Sequence, residues 1–350
     1  LPGTSTIPAS DNAKLRKARE AGMYMVEMAK AGRKPSDLIT KEVLMNAIMF
    51  DMAVAGSTNA VLHILSYAYE LGIKLTLADF EKYAKEIPCI NAVVPSGPYT
   101  VVDFHYAGGV MNVMKMLESK LYTDVPSMYG NTWADMLSRV KAQENKVIHS
   151  LEKPLFNEPG LKILRGNLSP NGAIVRPTAV YDEVKYMKGK AKVFEGDRPA
   201  FEAIMAGEIV PGDIIVIRYE GCKGAPGMKE LMLSIDALIG LGLDKSVGLI
   251  SDARFSGFNY GAIIGHVSPE AYDGGNIALV ENGDEIVIDI PNGEVSMLVS
   301  EEELERRRAA WVCPPLKEEK GCLNIFAKMC RPAEEGGAMQ PWDLDAKFHR

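Results

Sequence analysis

The sequence predicts an α/β protein in two parts, a mainly helical first portion and a strand-rich second portion expected to form a barrel-like domain. Three observations carry this. Apolar residues recur with a helical period over roughly the first 150 residues. From residue 161 onward they come instead in short runs, LKIL, GAIV, KVF, DIIVIRY, SVGLI, NIALV and EIVIDI, several of them separated by NG or GD turns. Between the two textures, EKPLFNEPG at 152–160 has the composition of a linker. The expected division is 1–155 and 156–350, with ligand chemistry where the two domains meet.

The elements follow in order. Ser10 is placed to cap a helix whose Leu15, Ala18, Gly22, Met25, Val26 and Ala29 share one face, with Gly32 as its stop. A second helix starts near Thr40 with Val43, Leu44, Ala47 and Ile48 as its buried stripe. A third follows AGSTN and runs to Gly72 with Val61, Ile64, Leu65 and Ala68 on one face. Thr76 and Asp79 open a fourth, which stops before Pro88. PCINAVVPSGPYT at 88–100 is loop, and one further helix is expected over 102–117. In the second portion Ser300 and Glu303 form a capping box for a late helix.

Composition bounds the function. The chain has 350 residues, 47% hydrophobic and 24% charged, enough for two cores. Its net charge of −7 comes without a basic run, which argues against nucleic acid and against an anionic membrane surface. A small molecule is the expected partner. Runs such as AVLHIL and DIIVI fall far short of the ~20 residues a membrane helix needs, and the expectation is a cytoplasmic protein. Five cysteines without CxxC spacing read as free thiols. Leu1 and the loop-like LPGTSTIPAS give the expectation of a fragment.

The richest stretch is 218–271, where RYEGCKGAPGMKE, SDARFSG and GHVSPEA follow one another. Glycines and prolines beside polar groups suggest backbone bent around a ligand. Glu230 follows such a turn, at an expected helix start, where a carboxylate can coordinate a hard cation; a surface glutamate favoured by the helix dipole is the alternative. SDARFSG follows the apolar strand VGLI, so Asp252, Arg254 and Ser256 sit at a strand's carboxyl end, where open sheets place ligand groups. Ser256 serves as a base only if its hydroxyl pKa is strongly lowered, and otherwise it is an ordinary turn serine. In the first portion, Ser57, Thr58 and Asn59 of GSTN are candidates to cap a helix or hold an anionic substrate group. His63, Asp103 and His105 read as packing groups, and Ala107, Gly108 and Gly109 as a close-approach surface on the helix. GAPGMKE lacks the endings of a nucleotide loop. Cys313, Cys322 and Cys330 match no ferredoxin spacing.

Taken in order, LPGTSTIPA, NAIMFDMAVAGSTNAVLH, PSGPYTVVDFHYAGG, GNLSPNGAIV, GEIVPGDIIVIRYEGCKGAPGMKEL, SDARFSG, GHVSPEA and IALVENGDEIVIDIPN resemble the dihydroxy-acid dehydratase and phosphogluconate dehydratase family along nearly the whole chain. The resemblance implies a hydro-lyase that converts a 2,3-dihydroxy acid to a 2-keto acid. It also implies an N-terminal α/β domain, a C-terminal barrel-like domain, an iron–sulfur cluster and Mg2+. Glu230 matches the family's magnesium-binding glutamate and Ser256 its proposed base; Arg254, Ser57, Thr58 and Asn59 are candidates for shaping the substrate site. The family's cluster cysteines, and the aspartate and carbamylated lysine of the magnesium site, belong to segments upstream of the LPG motif, and Cys222 replaces the proline of EGPKG. The resemblance thus implies an incomplete site in these 350 residues.

RYEGCKGAPGM and GHVSPEA are closest to the branched-chain amino-acid enzyme, which makes a branched 2,3-dihydroxy acid the first expected substrate. SDAR resembles the sugar-acid enzymes, and the tail CRPAEEGGAMQPWDLDAKFHR departs from the usual ending of the branched-chain enzyme, so an aldonic acid is the second. A non-catalytic partner subunit is the reading from a different class. A homodimer or homotetramer is expected.

Overall fold

The computed structural model describes residues 1–340, so the last ten residues of the divergent tail lie outside the described residues. The chain divides into two compact units. The first comprises 1–60, 71–162 and 176–179; the second comprises 61–70, 163–175 and the chain from Val180 onward. No helix among the described residues is long and apolar enough to cross a membrane.

The helices of the first portion are α1 (Asn12–Lys30), α2 (Lys41–Ala53), α3 (Thr58–Glu70), α4 (Leu77–Glu86), α5 (Val101–Tyr106), α6 (Gly109–Met116) and α7 (Trp133–Leu137). Thr40 caps α2, and Thr76 with Asp79 forms the box that opens α4. The cap of α1 is Asp11 rather than Ser10: its carboxylate accepts the Ala13 amide at 2.7 Å. In α2, Leu44 and Ile48 are buried but Ala47 is exposed. The single helix expected over 102–117 is two, because Gly108 and Gly109 take φ of +108° and +57° and turn the chain between α5 and α6. The glycine pair breaks a helix instead of smoothing its surface. Ile48, Met49, Met52, Phe80, Ile90, Leu117 and Ile148 are almost wholly buried in the first unit.

The second unit is built on one mixed sheet. Its strands are β1 (Lys162–Leu164), β2 (Gly172–Val175), β3 (Tyr186–Phe194), β4 (Asp213–Ile217), β6 (Gly248–Ser251), β8 (Ile263–Ser268), β9 (Glu285–Asp289) and β10 (Glu294–Met297), with the pair β5 (Glu230–Leu231) and β7 (Arg254–Phe255) beside it. The order is β1-β2-β8-β6-β4-β3-β9-β10. Neighbours from β3 to β8 run parallel; the outer pairings β2/β8, β3/β9 and β9/β10 are antiparallel. Past the end of β1, the Arg165 amide donates to Gly293 and the Val295 amide donates to Arg165, both at 2.8 Å, so the two ends of the sheet meet in a nearly closed barrel.

Parallel strands covered on both faces read as continuous apolar runs, and DIIVI is buried at every position. Alternation still sorts its side chains. Ile214 and Val216 join the larger core with Ile250, Ile264 and Ile288, while Ile215 and Ile217 join Leu249 and Ile263 under α8 (Asp197–Met205) and α9 (Leu233–Gly240). NIALV, expected as a strand, is a 3-10 turn at Asn276–Leu279 with Ile277, Ala278 and Leu279 buried. A short apolar run reports burial without reporting period. Late in the chain come α10 (Glu301–Ala310) and α11 (Cys322–Met329). Ser300 caps α10, but Glu303 turns outward to Arg306 and Arg307 instead of closing the box.

Candidate active site

The three glycine-bearing turns of 218–271 all fall in the second unit, and two buried carboxylates tie them together. Asp252, fully buried just beyond β6, accepts the amides of Tyr219 at 3.1 Å, Glu220 at 3.0 Å and Ala271 at 2.9 Å. Glu270 accepts the Lys223 amide at 3.0 Å and the Gly224 amide at 2.9 Å. Gly221 is required by this arrangement, since a Cβ there would stand 2.7 Å from the Glu270 carboxyl carbon. Tyr219 and Met228 carry φ of +63° and +56°, strain the ties must hold.

The turn then delivers Glu230. It lies on β5 and not at the start of a helix; α9 begins three residues later, where Asp197 accepts the amides of Met232, Leu233 and Ser234. Sequence reasoning placed the helix too early because its cap comes from a residue over thirty positions upstream. β5 pairs in parallel with β7, setting the Cα of Glu230 opposite Arg254 and that of Leu231 opposite Phe255. Arg254 donates from Nε to the Met228 carbonyl at 2.6 Å and from its amide to Lys229 at 3.1 Å. The structure therefore sets Glu230 and Arg254 side by side at the start of a two-strand pair, with Ser256 just past the carboxyl end of β7. Ser256 is half-buried, and its hydroxyl accepts the Phe258 amide at 3.3 Å. Beneath it Phe255 is fully buried against Gly265, where a Cβ would come within 2.4 Å of the ring.

Ser57, Thr58 and Asn59 belong to the first unit. Ser57 is exposed and accepts the Asn59 amide at 3.2 Å, while Thr58 is fully buried with no partner for its hydroxyl. These residues open α3, which supports the capping reading of GSTN.

Two groups in these motifs escaped the sequence reading. Glu270 had no local signal, since its partners lie 46 and 47 residues away. His266 is 4% exposed, has φ of +55° and leaves Nε2 without a partner. Burial first, then Arg254 and His63, push its pKa down to about 3, so it is a neutral imidazole.

Burial likewise raises the carboxylates, Asp252 from 3.8 to about 6 and Glu270 from 4.5 to about 8, the latter also through Asp252. In the first unit burial lifts Asp51 to about 8 against the pull of Arg176. Groups raised on folding bind more protons folded than unfolded, so their stabilising contribution is full at acid pH and is lost as pH rises through the folded values. The urea midpoint is expected to decline between about pH 5 and 8, and Glu270→Gln is expected to flatten that limb. A midpoint that rises across this window contradicts the assignment. Half-buried Glu303, lowered to about 2 by Arg306 and Arg307, acts only at far lower pH.

All five cysteines are free, with Cys89, Cys222 and Cys330 buried. Cys222 packs 3.6 Å from the Met228 sulfur in a small cluster with Leu62, Cys330 and Ala333. Burial raises the Cys222 and Cys330 thiols, which keeps them protonated and poor metal ligands. Among the described residues, no three His, Cys, Asp or Glu side chains converge to hold a metal. These residues by themselves complete neither a magnesium site nor an iron–sulfur site.

The chain is similar to known proteins along nearly its whole length. Residues 1–136 match the family model described as dihydroxy-acid/6-phosphogluconate dehydratase N-terminal, and 146–337 match its C-terminal counterpart. The chain is 44% identical over 343 residues to the dihydroxy-acid dehydratase of Clostridium novyi, covering 97% of this chain and 62% of that protein. Those of Ignicoccus hospitalis (44%, 97% of this chain, 62% of the relative) and Methanosarcina barkeri (45%, 96% and 62%) are similar to it as well. The chain thus spans less than two thirds of the length of the curated relatives it matches.

Proposed function

The chain belongs to the dihydroxy-acid/6-phosphogluconate dehydratase family, and from that premise we propose that it forms the C-terminal part of the active site of a hydro-lyase. In this reading the deprotonated oxygen of Ser256 takes the proton from C2 of a 2,3-dihydroxy acid. The C2–H electron pair becomes the C2–C3 double bond, the 3-hydroxyl leaves with the C–O electron pair and is protonated to water by the proton now on Ser256, which restores the deprotonated serine, and the enol tautomerises to a 2-keto acid. Glu230 is one ligand of the family's magnesium ion, and Arg254 holds the turn that carries Ser256 beside it. The iron–sulfur cluster and magnesium of the family would supply Lewis acidity.

The observation that supports the reading is the β5/β7 register, which sets Glu230 opposite Arg254, two residues before Ser256. The same proposal takes 1–155 as part of the N-terminal dehydratase domain and 156–350 as the C-terminal domain, in a cytoplasmic homodimer or homotetramer. Relatives named dihydroxy-acid dehydratase favour a branched 2,3-dihydroxy acid as substrate; the SDAR sequence at 251–254 favours an aldonic acid as the second reading. Anaerobic turnover of 2,3-dihydroxyisovalerate against a panel of aldonic acids, with the chain carried in a full-length dehydratase, is expected to favour the branched substrate. In the same preparation Glu230→Gln is expected to weaken Mg2+ affinity and turnover together. Wild-type Mg2+ affinity in that variant removes Glu230 from the ligand set.

A further inference from the structure

Charged residues lead into Ser256, and aromatic rings follow it. The Phe258 amide donates to the Ser256 hydroxyl at 3.3 Å, so residue 258 begins at the reactive oxygen. Its side chain is 59% exposed, whereas that of Phe255 is fully buried. The exposed ring is nevertheless held in place. It meets Tyr260 edge-on at 6.1 Å, and Tyr260 stacks on Tyr181 at 6.2 Å. Tyr181 packs against the larger core of the second unit and donates its hydroxyl to the buried Asp244 carboxylate at 3.1 Å. Gly261, at φ of +90°, turns the chain back onto the same anchor, since a Cβ there would stand 2.3 Å from the Asp244 carbonyl oxygen. The result is an apolar ring, fixed before any ligand arrives, beside the oxygen assigned as the base.

We propose that Phe258 is a specificity-determining residue, which receives the alkyl groups on C3 of a branched 2,3-dihydroxy acid and disfavours the hydroxylated chain of an aldonic acid. The inference rests on the reading of Ser256 as the base. For that oxygen to take the C2 proton, C2 must lie within roughly 3–3.5 Å of it, and the groups on C3 begin one bond beyond. An amide 3.3 Å from the same oxygen puts the Phe258 side chain within reach of those groups. Both candidate substrates share the carboxylate end, so discrimination has to come from C3 outward. The Phe258 ring offers no donor or acceptor. A hydroxylated chain laid against it gives up hydrogen bonds to water without replacement, while methyl groups gain by leaving water. The polar residues of SDAR are occupied in holding the turns: Asp252 accepts three backbone amides, and Arg254 donates to the Met228 carbonyl. Substrate choice therefore falls to the residues after Ser256.

The test compares wild type, Phe258→Ser and Phe258→Leu, each carried in a full-length dehydratase, by kcat/KM for 2,3-dihydroxyisovalerate and for gluconate. An apolar contact of this kind discriminates by roughly 10–200-fold. Phe258→Ser is therefore expected to lower the branched-to-gluconate ratio of kcat/KM by at least about tenfold, and Phe258→Leu, which keeps an apolar side chain, to retain most of the wild-type ratio. Position 258 is exposed, so an unchanged thermal midpoint is the folding control. General damage would lower both substrates together and leave the ratio where it was. A ratio unmoved by Phe258→Ser overturns the proposal, as does a ratio that falls equally in Phe258→Leu. A wild type that prefers gluconate, or turns over neither acid, overturns it too. Ser256→Ala, run alongside, separates the proposal from its premise. Turnover lost in that variant with an unmoved ratio in Phe258→Ser sinks the specificity role alone, whereas turnover retained in Ser256→Ala removes the base and the specificity role with it.

Discussion

Replacing Ser256 by alanine is expected to lower kcat for a 2,3-dihydroxy acid by about 10^2- to 10^4-fold, the range a positioned general base contributes. KM should change little, because the hydroxyl is assigned to proton removal and not to holding the substrate. The fold should tolerate the change. Ser256 is half-buried, and its hydroxyl accepts one amide within its own turn, that of Phe258. The measurement is steady-state kinetics in a full-length dehydratase, with thermal unfolding as the control. Turnover within about tenfold of wild type removes Ser256 as the base. A large rise in KM at unchanged kcat recasts it as a substrate-binding group.

Asp252→Ala is expected to be among the most destabilising single substitutions in the second unit. Three backbone amides, from Tyr219, Glu220 and Ala271, lose their common acceptor in a fully buried position. Each unsatisfied buried donor costs about 1–3 kcal/mol, so a loss of at least about 3 kcal/mol is expected in urea unfolding. Asp252→Asn should fall between the two, since its one carbonyl oxygen can accept while its NH2 group faces donors. Amide exchange separates this from generic damage. Tyr219, Glu220 and Ala271 should lose protection together, although they are 33, 32 and 19 residues from Asp252. Loss at one of the three alone would mean that the carboxylate does not tie the turns.

These two expectations differ in how far the sequence reaches them. Ser256 and Glu230 were visible as residues of glycine-rich turns, and the ordered motifs assigned them roles. Their adjacency was not visible, because it depends on β5 and β7, strands of two residues each, too short to show a period. Asp252 was visible as a polar residue at a strand end. Its work as a shared acceptor was not, because its partners come from turns on either side of it. His266 was hidden inside GHVSPEA, since nothing in a sequence reports that a ring nitrogen will be buried unpaired.

The sequence by itself determined the features that act within a turn or two. These include the caps at Thr40, Thr76 and Ser300, the continuous apolar strand DIIVI, the loop at 88–100, and the change from helical to strand texture. Capping is an interaction of residues three apart, and burial on both faces of a strand is written as an unbroken apolar run. The tertiary structure alone decided the break between α5 and α6, the strand that carries Glu230, the carboxylates that gather the three turns, and the outward apolar face of α1. A period records that a helix has an apolar side, but which side meets the rest of the chain depends on groups far away in sequence. In α1 one such group is Met128, whose carbonyl accepts the Tyr24 hydroxyl on the side of the helix opposite the exposed apolar stripe.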